Sequence, residues 1–289
     1  MTATLIDGKA VAAAQRQRIA GEVEELQAAG VTPGLAAVLV GDDPASHVYV
    51  GMKEKDCAAV GMTSSGVRLP ADVDTATLHA EIDRLNADPA VSGIIVQMPL
   101  PAHLDEIAAQ DRIDPLKDVD GLGPASQGQI MRGIPTYVPA TPLGVVVLLQ
   151  HHDVPLSGAE VVVVGRSTLV GRPLSMLLSL KGTDATVTMC HSRTRDLAGH
   201  TRRADVVVMA VGVRRMLTAD MVMPGACVID VGITRDHDGT LVGDVDFEAV
   251  AQVAGLITPV PGGVGPMTRA MLLENTLRAA RTIAGIPLP

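Results

Sequence analysis

Short runs of aliphatic residues alternate with stretches of helical periodicity along this chain, and this alternation constrains the fold more than any other feature. The runs are continuous, as in strands covered on both faces, and the clearest are residues 35–40, 93–97, 160–164, 205–210 and 227–231. Strands separated by helices pair in parallel through right-handed crossovers. The sequence therefore predicts an α/β fold built on parallel sheets.

The chain has 289 residues, which is more than one sheet of this kind needs, so we expect two domains. The first is predicted to be an αβα domain over residues 1–139. A second, Rossmann-like domain is predicted over 140–265, where a new series of strands and helices begins. The segment 266–289 carries Leu273 and Leu277 on one helical face. Because it leaves the second sheet as a helix, we expect it to return to the first domain.

Composition and charge exclude several classes of protein. A net charge of −9, one Phe, two Tyr and no Trp argue against a nucleic-acid-binding protein, which needs basic patches and stacking aromatic residues. Cys57, Cys190 and Cys227 lack the spacing of a zinc site and are expected to be free thiols, so no metal site is predicted. No aliphatic run reaches the length of a membrane span, and the amino terminus lacks the apolar core of a secretion signal. We therefore expect a cytoplasmic protein that binds neither nucleic acid nor membrane.

The segment 41–62 contains the first candidate for catalysis. Asp43 followed by Pro44 is a helix-start signal, and a helix of about four turns is predicted to follow. Tyr49 and Lys53, four residues apart, would share one largely apolar face of that helix. Burial of a lysine favours its neutral form, which makes Lys53 a candidate base. The structural alternative is that Lys53 extends to solvent and Tyr49 only packs.

Two further segments carry polar residues that need an explanation. Gln97 stands where the strand predicted at 93–97 ends, and ligands bind beyond the carboxyl ends of parallel strands. It would then lie at the same rim as the start of the Tyr49/Lys53 helix, although capping of the strand explains it equally well. The loop 114–121, with the sequence DPLKDVDG, has three aspartates and no apolar periodicity. A solvated turn is its default interpretation.

The sequence VVVVGRSTLVGRPLSMLL predicts a strand, a glycine turn and a helix, the arrangement that points backbone N–H groups at a phosphate. Gly165 and Gly171 are six residues apart, which departs from the usual GxGxxG spacing. The next strand ends in His191-Ser192-Arg193-Thr194, where an NAD enzyme usually has an acidic residue for the ribose 2′-hydroxyl. Arg166 and Arg193 instead offer two guanidinium groups to a 2′-phosphate, so NADP is favoured over NAD. A solvated surface position is the alternative for Arg193.

Glycine-rich loops follow the remaining predicted strands. Gly212 and Gly232 each come at the end of one strand, which lets the backbone approach a flat ring. The last predicted strand, 255–260, runs into PGGVGPMT at 261–268. This loop is either a tight turn alone or a stretch of backbone laid against a ligand.

Together these motifs resemble the bifunctional methylenetetrahydrofolate dehydrogenase/cyclohydrolase family over nearly the full chain. The matching segments, in order, are VGDDPASHVYVGMKEKDCAAVGM, GIIVQMPLP, DPLKDVDG, VVGRSTLVGRPLSMLL, TVTMCHSRT, ADVVVMAVG, DVGI, GDVDF and TPVPGGVGPMT. Each segment alone is weak, and the nine in this order carry the resemblance. It implies a catalytic domain and a Rossmann-like NADP-binding domain.

The resemblance implies a role for each candidate residue. Lys53 would act on the reacting one-carbon unit, and Gln97 would hydrogen-bond Lys53 and tune it. Tyr49 would stack on the aminobenzoyl part of the folate, and Asp120 would accept the amino and ring N–H groups of the pterin. The remaining residues would bind NADP or line the folate cleft: Gly165, Arg166, Ser167 and Ser192 at the NADP phosphates, Ile233 at the nicotinamide, and Gly262 and Gly263 along the folate cleft.

The implied reactions are oxidation of 5,10-methylenetetrahydrofolate by NADP and hydrolysis of the methenyl product to 10-formyltetrahydrofolate, in one shared active site. The resemblance also implies a homodimer and a place in one-carbon metabolism, with links to purine and amino-acid biosynthesis. One rival interpretation is a dehydrogenase of the same lineage without the hydrolase step, against which intact Lys53 and Gln97 speak. The other is a non-catalytic NADP-binding sensor, which leaves Tyr49, Lys53, Gln97 and Asp120 without a role.

Two segments depart from the family pattern. Gly123-Pro124-Ala125-Ser126 stands where the family usually has His-Pro-x-Asn, and Ala140-Thr141-Pro142-Leu143 stands where it usually has Cys-Thr-Pro-Lys/Arg. Both segments lie near the expected domain junction. We expect their effect on folate affinity or on the balance between the two activities.

Overall fold

The computed structural model describes residues 2–236 and 239–288 and divides into two compact units. One consists of Met1–Ala13, Ile130–Ile134 and Thr141–Thr268, and is called the six-stranded unit after its main sheet. The other, called the three-stranded unit, consists of Ala14–Gln129, Pro135–Ala140 and Arg269–Pro289.

Strands and helices alternate along most of the described chain, as the hydropathy pattern predicts. The strands are β1 (Thr4–Leu5), β2 (Gly34–Val40), β3 (Thr63–Leu69), β4 (Gly93–Val96), β5 (Glu160–Val164), β6 (Thr186–Cys190), β7 (Val206–Met209), β8 (Cys227–Asp230), β9 (Thr234–Arg235), β10 (Leu241–Val242) and β11 (Leu256–Ile257). The helices are α1 (Gly8–Ala28), α2 (Pro44–Ala59), α3 (Thr75–Ala87), α4 (Glu106–Asp111), α5 (Pro124–Met131), α6 (Ala140–His151), α7 (Gly171–Ser179), α8 (Leu197–Thr201), α9 (Phe247–Val250) and α10 (Val264–Ile283), with a 3₁₀ turn at Ala219–Met221.

The sheet of the three-stranded unit has the order β3-β2-β4, and both pairings are parallel. β2 is buried along its whole length, as its uninterrupted aliphatic sequence predicts. On α3, Leu78, Ile82 and Leu85 lie at helical spacing and pack into the core that covers this sheet. β4 is also fully buried and ends immediately before Gln97. Gln97 is therefore a polar residue that directly follows a strand of the apolar core.

The main sheet of the six-stranded unit has the order β1-β11-β8-β7-β5-β6, and all five pairings are parallel. β9 and β10 form a separate antiparallel pair. From β5 the chain passes to β6 on one side and then to β7 on the other, so the winding changes direction between β5 and β7. Open α/β sheets bind ligands at the carboxyl ends of strands at such a switch point. This topology confirms the predicted Rossmann-like sheet.

The return of the C-terminal helix to the first domain is also confirmed. From Arg269 onward, α10 belongs to the three-stranded unit. There Asn275 Nδ2 donates hydrogen bonds to the carbonyl oxygens of Val119 and Val138, at 2.7 and 2.8 Å. These bonds are buried, so they fix α10 to the aspartate loop itself and to the segment that follows it.

The last strand of the main sheet, β11, differs from the sequence prediction in its pairing and in its length. Residues 4 and 5 form β1 and pair with β11, which the sequence did not indicate because a two-residue exposed segment has no periodic pattern. The strand predicted over 255–260 is limited to Leu256–Ile257. Pro259 and Pro261 lack the N–H groups that a longer ladder would need.

The cysteines, the possible metal ligands and the long helices of the described residues bear on whether the chain has a thiol nucleophile, a metal site or a membrane span. The three cysteines are free and buried, and burial raises the pKa of Cys57 and of Cys227 to about 12, which makes them poor nucleophiles. Within residues 2–236 and 239–288, no three His, Cys, Asp or Glu side chains are grouped so as to hold a metal ion. In the same ranges no helix is both long enough and apolar enough to cross a bilayer.

Candidate active site

Helix α2 places Tyr49 and Lys53 one turn apart on the same face. The Asp43 side chain accepts a hydrogen bond from the Ser46 N–H at 2.8 Å, and Pro44 occupies the first turn, so the predicted start of the helix is confirmed. Tyr49 is 46% exposed, whereas Lys53 is half-buried. The helix therefore presents an open aromatic ring beside a partly desolvated amine.

Lys53 and Gln97 are in direct contact. Lys53 Nζ donates a hydrogen bond to Gln97 Oε1 at 3.2 Å. Gln97 Nε2 donates to the carbonyl oxygen of Met98 at 2.7 Å, and its backbone N–H donates to the Val38 carbonyl at 2.8 Å. The amide is therefore held with its oxygen toward the lysine, so Gln97 does more than cap β4.

Burial acts on both charged groups of this cluster. Burial lowers the pKa of Lys53, and the nearby carboxylate of Asp120 opposes that change. Burial likewise raises the pKa of Asp120, where the charge of Lys53 opposes the change and the charge of Asp118 adds to it. Burial therefore displaces both groups toward their neutral forms. Lys53, Gln97 and Asp120 thus form one electrostatically linked group within the three-stranded unit.

The loop 114–121 is not the solvated turn of the default interpretation, because Lys117, Asp118 and Val119 are buried. Lys117 Nζ donates to the carbonyl oxygens of Leu85 and Asp88, at 3.1 and 2.7 Å, where α3 ends. These two hydrogen bonds hold the Lys117 side chain at the end of α3, and they keep the loop buried. The sequence could not indicate this contact, since its partners are about thirty residues away.

Asp118 is a structural residue of the site that the sequence analysis did not single out. Its Oδ2 accepts hydrogen bonds from the Gly123 N–H at 2.9 Å and from Ser126 Oγ at 2.6 Å, and its Oδ1 accepts from the Leu122 N–H at 3.2 Å. A Cβ atom at Gly123 would lie 3.0 Å from Asp118 Oδ2. Within the segment 123–126 that departs from the family pattern, Gly123 and Ser126 are therefore two small residues fitted against one buried carboxylate.

In the six-stranded unit, Gly165 and Gly171 form a compact turn after β5. Gly165 has φ +127°, and a Cβ atom there would lie 2.3 Å from the Ala210 carbonyl oxygen. A Cβ atom at Gly171 would lie 2.1 Å from the Gly165 carbonyl oxygen, so the start of α7 is packed directly on the turn. Val170, at the N-cap of α7, provides no side-chain acceptor for the first N–H groups of this helix. We call the segment 165–171 the phosphate turn, because its close-packed glycines and the start of α7 match the strand–turn–helix arrangement that binds phosphate.

Four predicted cofactor residues lie at the carboxyl ends of the paired strands β5 and β6. Arg166 and Ser167 follow β5, Ser192 and Arg193 lie just after β6, and all four are exposed. No carboxylate side chain occupies 190–194, so this segment lacks the acidic residue that would repel a 2′-phosphate. The His191 ring accepts a hydrogen bond from the Arg193 N–H at 3.1 Å, which fixes the backbone of this loop. The arrangement fits a phosphorylated ribose better than a free 2′-hydroxyl.

The other predicted cofactor and substrate residues lie on close-packed backbone. Ile233 is 49% exposed, and its Cδ1 lies 3.6 Å from the Cβ position of Gly265. Gly262 has φ +113°, and a Cβ atom at Gly263 would lie 2.7 Å from the Pro259 carbonyl oxygen. Gly262 and Gly263 therefore disfavour larger residues, the first because of its backbone conformation and the second because of the close carbonyl oxygen.

A Rossmann-like sheet with a phosphate turn, joined in one chain to a unit that carries a partly buried amine, defines a two-unit α/β enzyme of the pyridine-nucleotide class. The particular family follows from comparison with known proteins. The model of the tetrahydrofolate dehydrogenase/cyclohydrolase catalytic domain matches residues 6–120, and the model of its NAD(P)-binding domain matches residues 139–284. The chain belongs to the tetrahydrofolate dehydrogenase/cyclohydrolase family.

Individual relatives agree with this assignment. Bifunctional protein FolD 2 of Frankia alni is 58% identical over 287 residues, which is 99% of either chain. The crystal structure of the bifunctional FolD enzyme of Campylobacter jejuni is 43% identical with a TM-score of 0.95, covering 97% of this chain and 99% of that one. The FolD structure of Trypanosoma brucei, solved with NADP and an inhibitor, is 41% identical with a TM-score of 0.93, covering 98% and 99%. The predicted family, fold class, bifunctional enzyme and pyridine-nucleotide cofactor are confirmed.

Proposed function

We propose that this chain oxidises 5,10-methylenetetrahydrofolate with NADP and hydrolyses the resulting methenyl compound to 10-formyltetrahydrofolate. The observation that carries the proposal is the hydrogen bond from Lys53 Nζ to Gln97 Oε1, made where burial lowers the pKa of the lysine. A neutral amine held in place by an amide is suited to activating water. A dehydrogenase alone would not need it.

NADP supplies a hydride acceptor, and the residues after β5 and β6 would bind it. The phosphate turn at Gly165 and Ser167 would receive the pyrophosphate, while Arg166, Ser192 and Arg193 would hold the 2′-phosphate. The relative from Trypanosoma brucei supports this choice of nucleotide, since its structure contains NADP. Ile233 would offer its backbone groups to the carboxamide of the nicotinamide.

Tyr49 and Asp120 would bind the folate. The exposed ring of Tyr49 can stack on the aminobenzoyl group. A carboxylate at Asp120 can accept two parallel N–H groups from the pterin, while Gly262 and Gly263 would line the cleft with backbone. The oxidation needs orientation rather than an acid or base, because the two nitrogens that flank the reacting carbon stabilise its positive charge.

Lys53 would be the base of the hydrolysis. Water attacks the cationic methenyl carbon and loses a proton, which the neutral amine of Lys53 can accept; the bond from that carbon to N5 then breaks and N5 takes up a proton, which gives the 10-formyl product. The positive charge of the methenyl group itself would lower the pKa of Lys53 further. The product of the first reaction would thus prepare the base for the second. Gln97 would direct one N–H of the amine and leave its lone pair for the water.

The remaining predictions complete the proposal. The functional domains would be residues 1–139 with 266–289 for folate and 140–265 for NADP. The protein would act as a homodimer in the cytoplasm, in the one-carbon metabolism that serves purine and amino-acid biosynthesis. Size-exclusion chromatography with light scattering tests the dimer, for which a mass near twice 29.9 kDa is expected.

The substitution Lys53→Met tests the assignment. Hydrolysis of methenyltetrahydrofolate should fall at least about 100-fold, because a general base contributes that much, while NADP reduction stays measurable. Lys55→Met is the matched control, since Lys55 is exposed on the same helix. Equal loss of both activities with folate binding intact would contradict the role of Lys53.

Two assays on the unmodified protein decide between the proposal and its rivals. A dehydrogenase without the hydrolase step would leave methenyltetrahydrofolate unchanged when it is the only substrate supplied. A non-catalytic NADP-binding sensor would form no NADPH from NADP and methylenetetrahydrofolate. Both reactions are expected to proceed.

A further inference from the structure

Two buried aspartates of the six-stranded unit remain without a role in the proposed reactions. Asp230 ends β8 and is 3% exposed, and Asp244 follows β10 and is fully buried. Carboxylates are seldom buried without a compensating set of donors. The donors of these two are backbone N–H groups from the loops that follow neighbouring strands.

Asp230 fixes the loop after β8. Its Oδ1 accepts from the N–H groups of Gly232 and Asp244, both at 3.0 Å, and its Oδ2 accepts from the Val245 N–H at 2.9 Å. The Asp230 N–H in turn donates to Thr258 Oγ1 at 2.7 Å. One of these three donors, the Gly232 N–H, ties the loop immediately before Ile233 to the carboxylate, and the other two tie the same carboxylate to the segment after β10.

Asp244 fixes the loop after β7. Its Oδ2 accepts from the Val211 and Gly212 N–H groups, at 2.7 and 3.0 Å. A Cβ atom at Gly232 would lie 2.3 Å from the Asp244 carboxyl carbon, and one at Gly243 would lie 1.9 Å from Asp230 Oδ2. The Asp244 carboxylate therefore packs against Gly232, close to Asp230 in the chain, and the Asp230 carboxylate packs against Gly243, next to Asp244. The two carboxylates therefore join the loop after β7 and the loop after β8 into one rigid arrangement.

The arrangement of these two buried carboxylates reduces the stability of the folded state. Asp244 Oδ1 is buried and has no hydrogen-bond partner among the described residues. Burial, with a smaller contribution from the charge of Asp244, raises the pKa of Asp230 to about 6 against the three N–H groups that lower it. Arrangements that cost stability are concentrated at functional sites.

We propose that Asp230 and Asp244 are positioning residues for the hydride transfer, because they hold the Gly212 and Gly232 loops in the arrangement that receives the nicotinamide. The inference rests on the proposed function, which places Ile233 at the nicotinamide. In this role neither carboxylate would need to contact substrate. Both act through the backbone N–H groups that they hold.

Asp230 and Asp244 should respond differently to replacement by asparagine, and this difference makes the test specific. The single oxygen of Asn at 244 can accept both the Val211 and Gly212 N–H groups, so Asp244→Asn should keep dehydrogenase kcat/KM within about 3-fold. At 230 the donors approach both oxygens, so an amide NH₂ must face an N–H group. Asp230→Asn and Asp244→Ala should each lower dehydrogenase kcat/KM for NADP at least about 10-fold.

Hydrolysis of methenyltetrahydrofolate by the full chain is the internal reference, because Lys53, Gln97 and Asp120 all lie in the other unit. Asp205→Asn is the matched control, since Asp205 Oδ2 accepts the Glu160 N–H at the opposite end of the same sheet. Dehydrogenase loss with hydrolysis within about 3-fold supports the proposal. Unchanged dehydrogenase activity, or parallel loss of both activities, overturns it.

If Asp244→Ala does not fold, Asp230→Asn decides alone, because its side chain has the same size as the original. If the unmodified protein formed no NADPH, the proposed function would fail rather than the positioning role. The two failures are therefore distinguishable.

Discussion

Gln97 Oε1 lies 3.2 Å from Lys53 Nζ, and the amide that carries it is fixed at its nitrogen by the Met98 carbonyl. A neutral lysine is a useful base only if its lone pair points at the water that it activates. An acceptor that engages one N–H sets the rotation of the amine about its last bond. The orientation of the Lys53 amine therefore depends on a residue from a different element, at the end of β4.

Gln97→Leu should lower the rate of methenyltetrahydrofolate hydrolysis by about 10- to 100-fold, because the amine loses its orienting acceptor. NADP reduction should change by less than about 5-fold, since that step needs no base. Initial-rate assays of each reaction measure the difference. Gln17→Leu, at an exposed position of α1, serves as the control. A hydrolysis rate like that of the control would show that Gln97 does not orient Lys53.

The hydrolysis rate should fall as the pH is lowered, because Lys53, as the proposed base, must be neutral and protonation removes its lone pair. The negative charge of Asp120 raises the pKa of Lys53. Asp120→Asn removes this charge, lowers the pKa of the lysine and should move the acid limb of the kcat profile to lower pH. The control is Asp111→Asn, at an exposed position of α4. A shift of the limb to higher pH would be incompatible with Lys53 as the base.

Ser126→Ala should destabilise the protein by about 1–3 kcal/mol, because the buried carboxylate of Asp118 loses an O–H donor. Ser126→Asn, which introduces the residue usual in the family, should lose less because its amide can also donate. Urea unfolding compares both with Ser157→Ala, at an exposed turn. If the two alanine variants unfold at the same urea concentration, the Ser126–Asp118 bond contributes nothing to stability.

The sequence predicted those parts of the fold that depend on local patterns. The helix start at Asp43 and Pro44 and the continuous aliphatic run of β2 are encoded within a few residues, and the structure has them where expected. The pairing of β1 with β11 joins residues about 250 positions apart, so no local pattern could indicate it. The same reason explains why a family resemblance was needed to assign roles to the candidate residues.

Supporting residues were harder to foresee than candidate ones. Lys53 and Gln97 stood out because a lysine on an apolar face and a polar residue at a strand end are unusual. Asp118 and Asp244 occur in segments that resemble ordinary polar turns, and Asp230 ends a strand that the sequence predicts from its aliphatic residues. Their importance comes from the N–H groups that surround them, and the sequence does not show those donors.

Arg166 and Arg193 should determine the preference for NADP over NAD. Each guanidinium lies in a loop at the phosphate turn or at the end of β6, and a charge-assisted hydrogen bond contributes about 1.5–3 kcal/mol. Arg193→Met and Arg166→Met should therefore each raise KM for NADP roughly 10- to 100-fold, with little change in KM for NAD. Lys181→Met, an exposed charge beyond the end of α7, is the control for a general loss of positive potential. Equal changes in KM for both nucleotides would mean that these arginines contact the shared pyrophosphate rather than the 2′-phosphate.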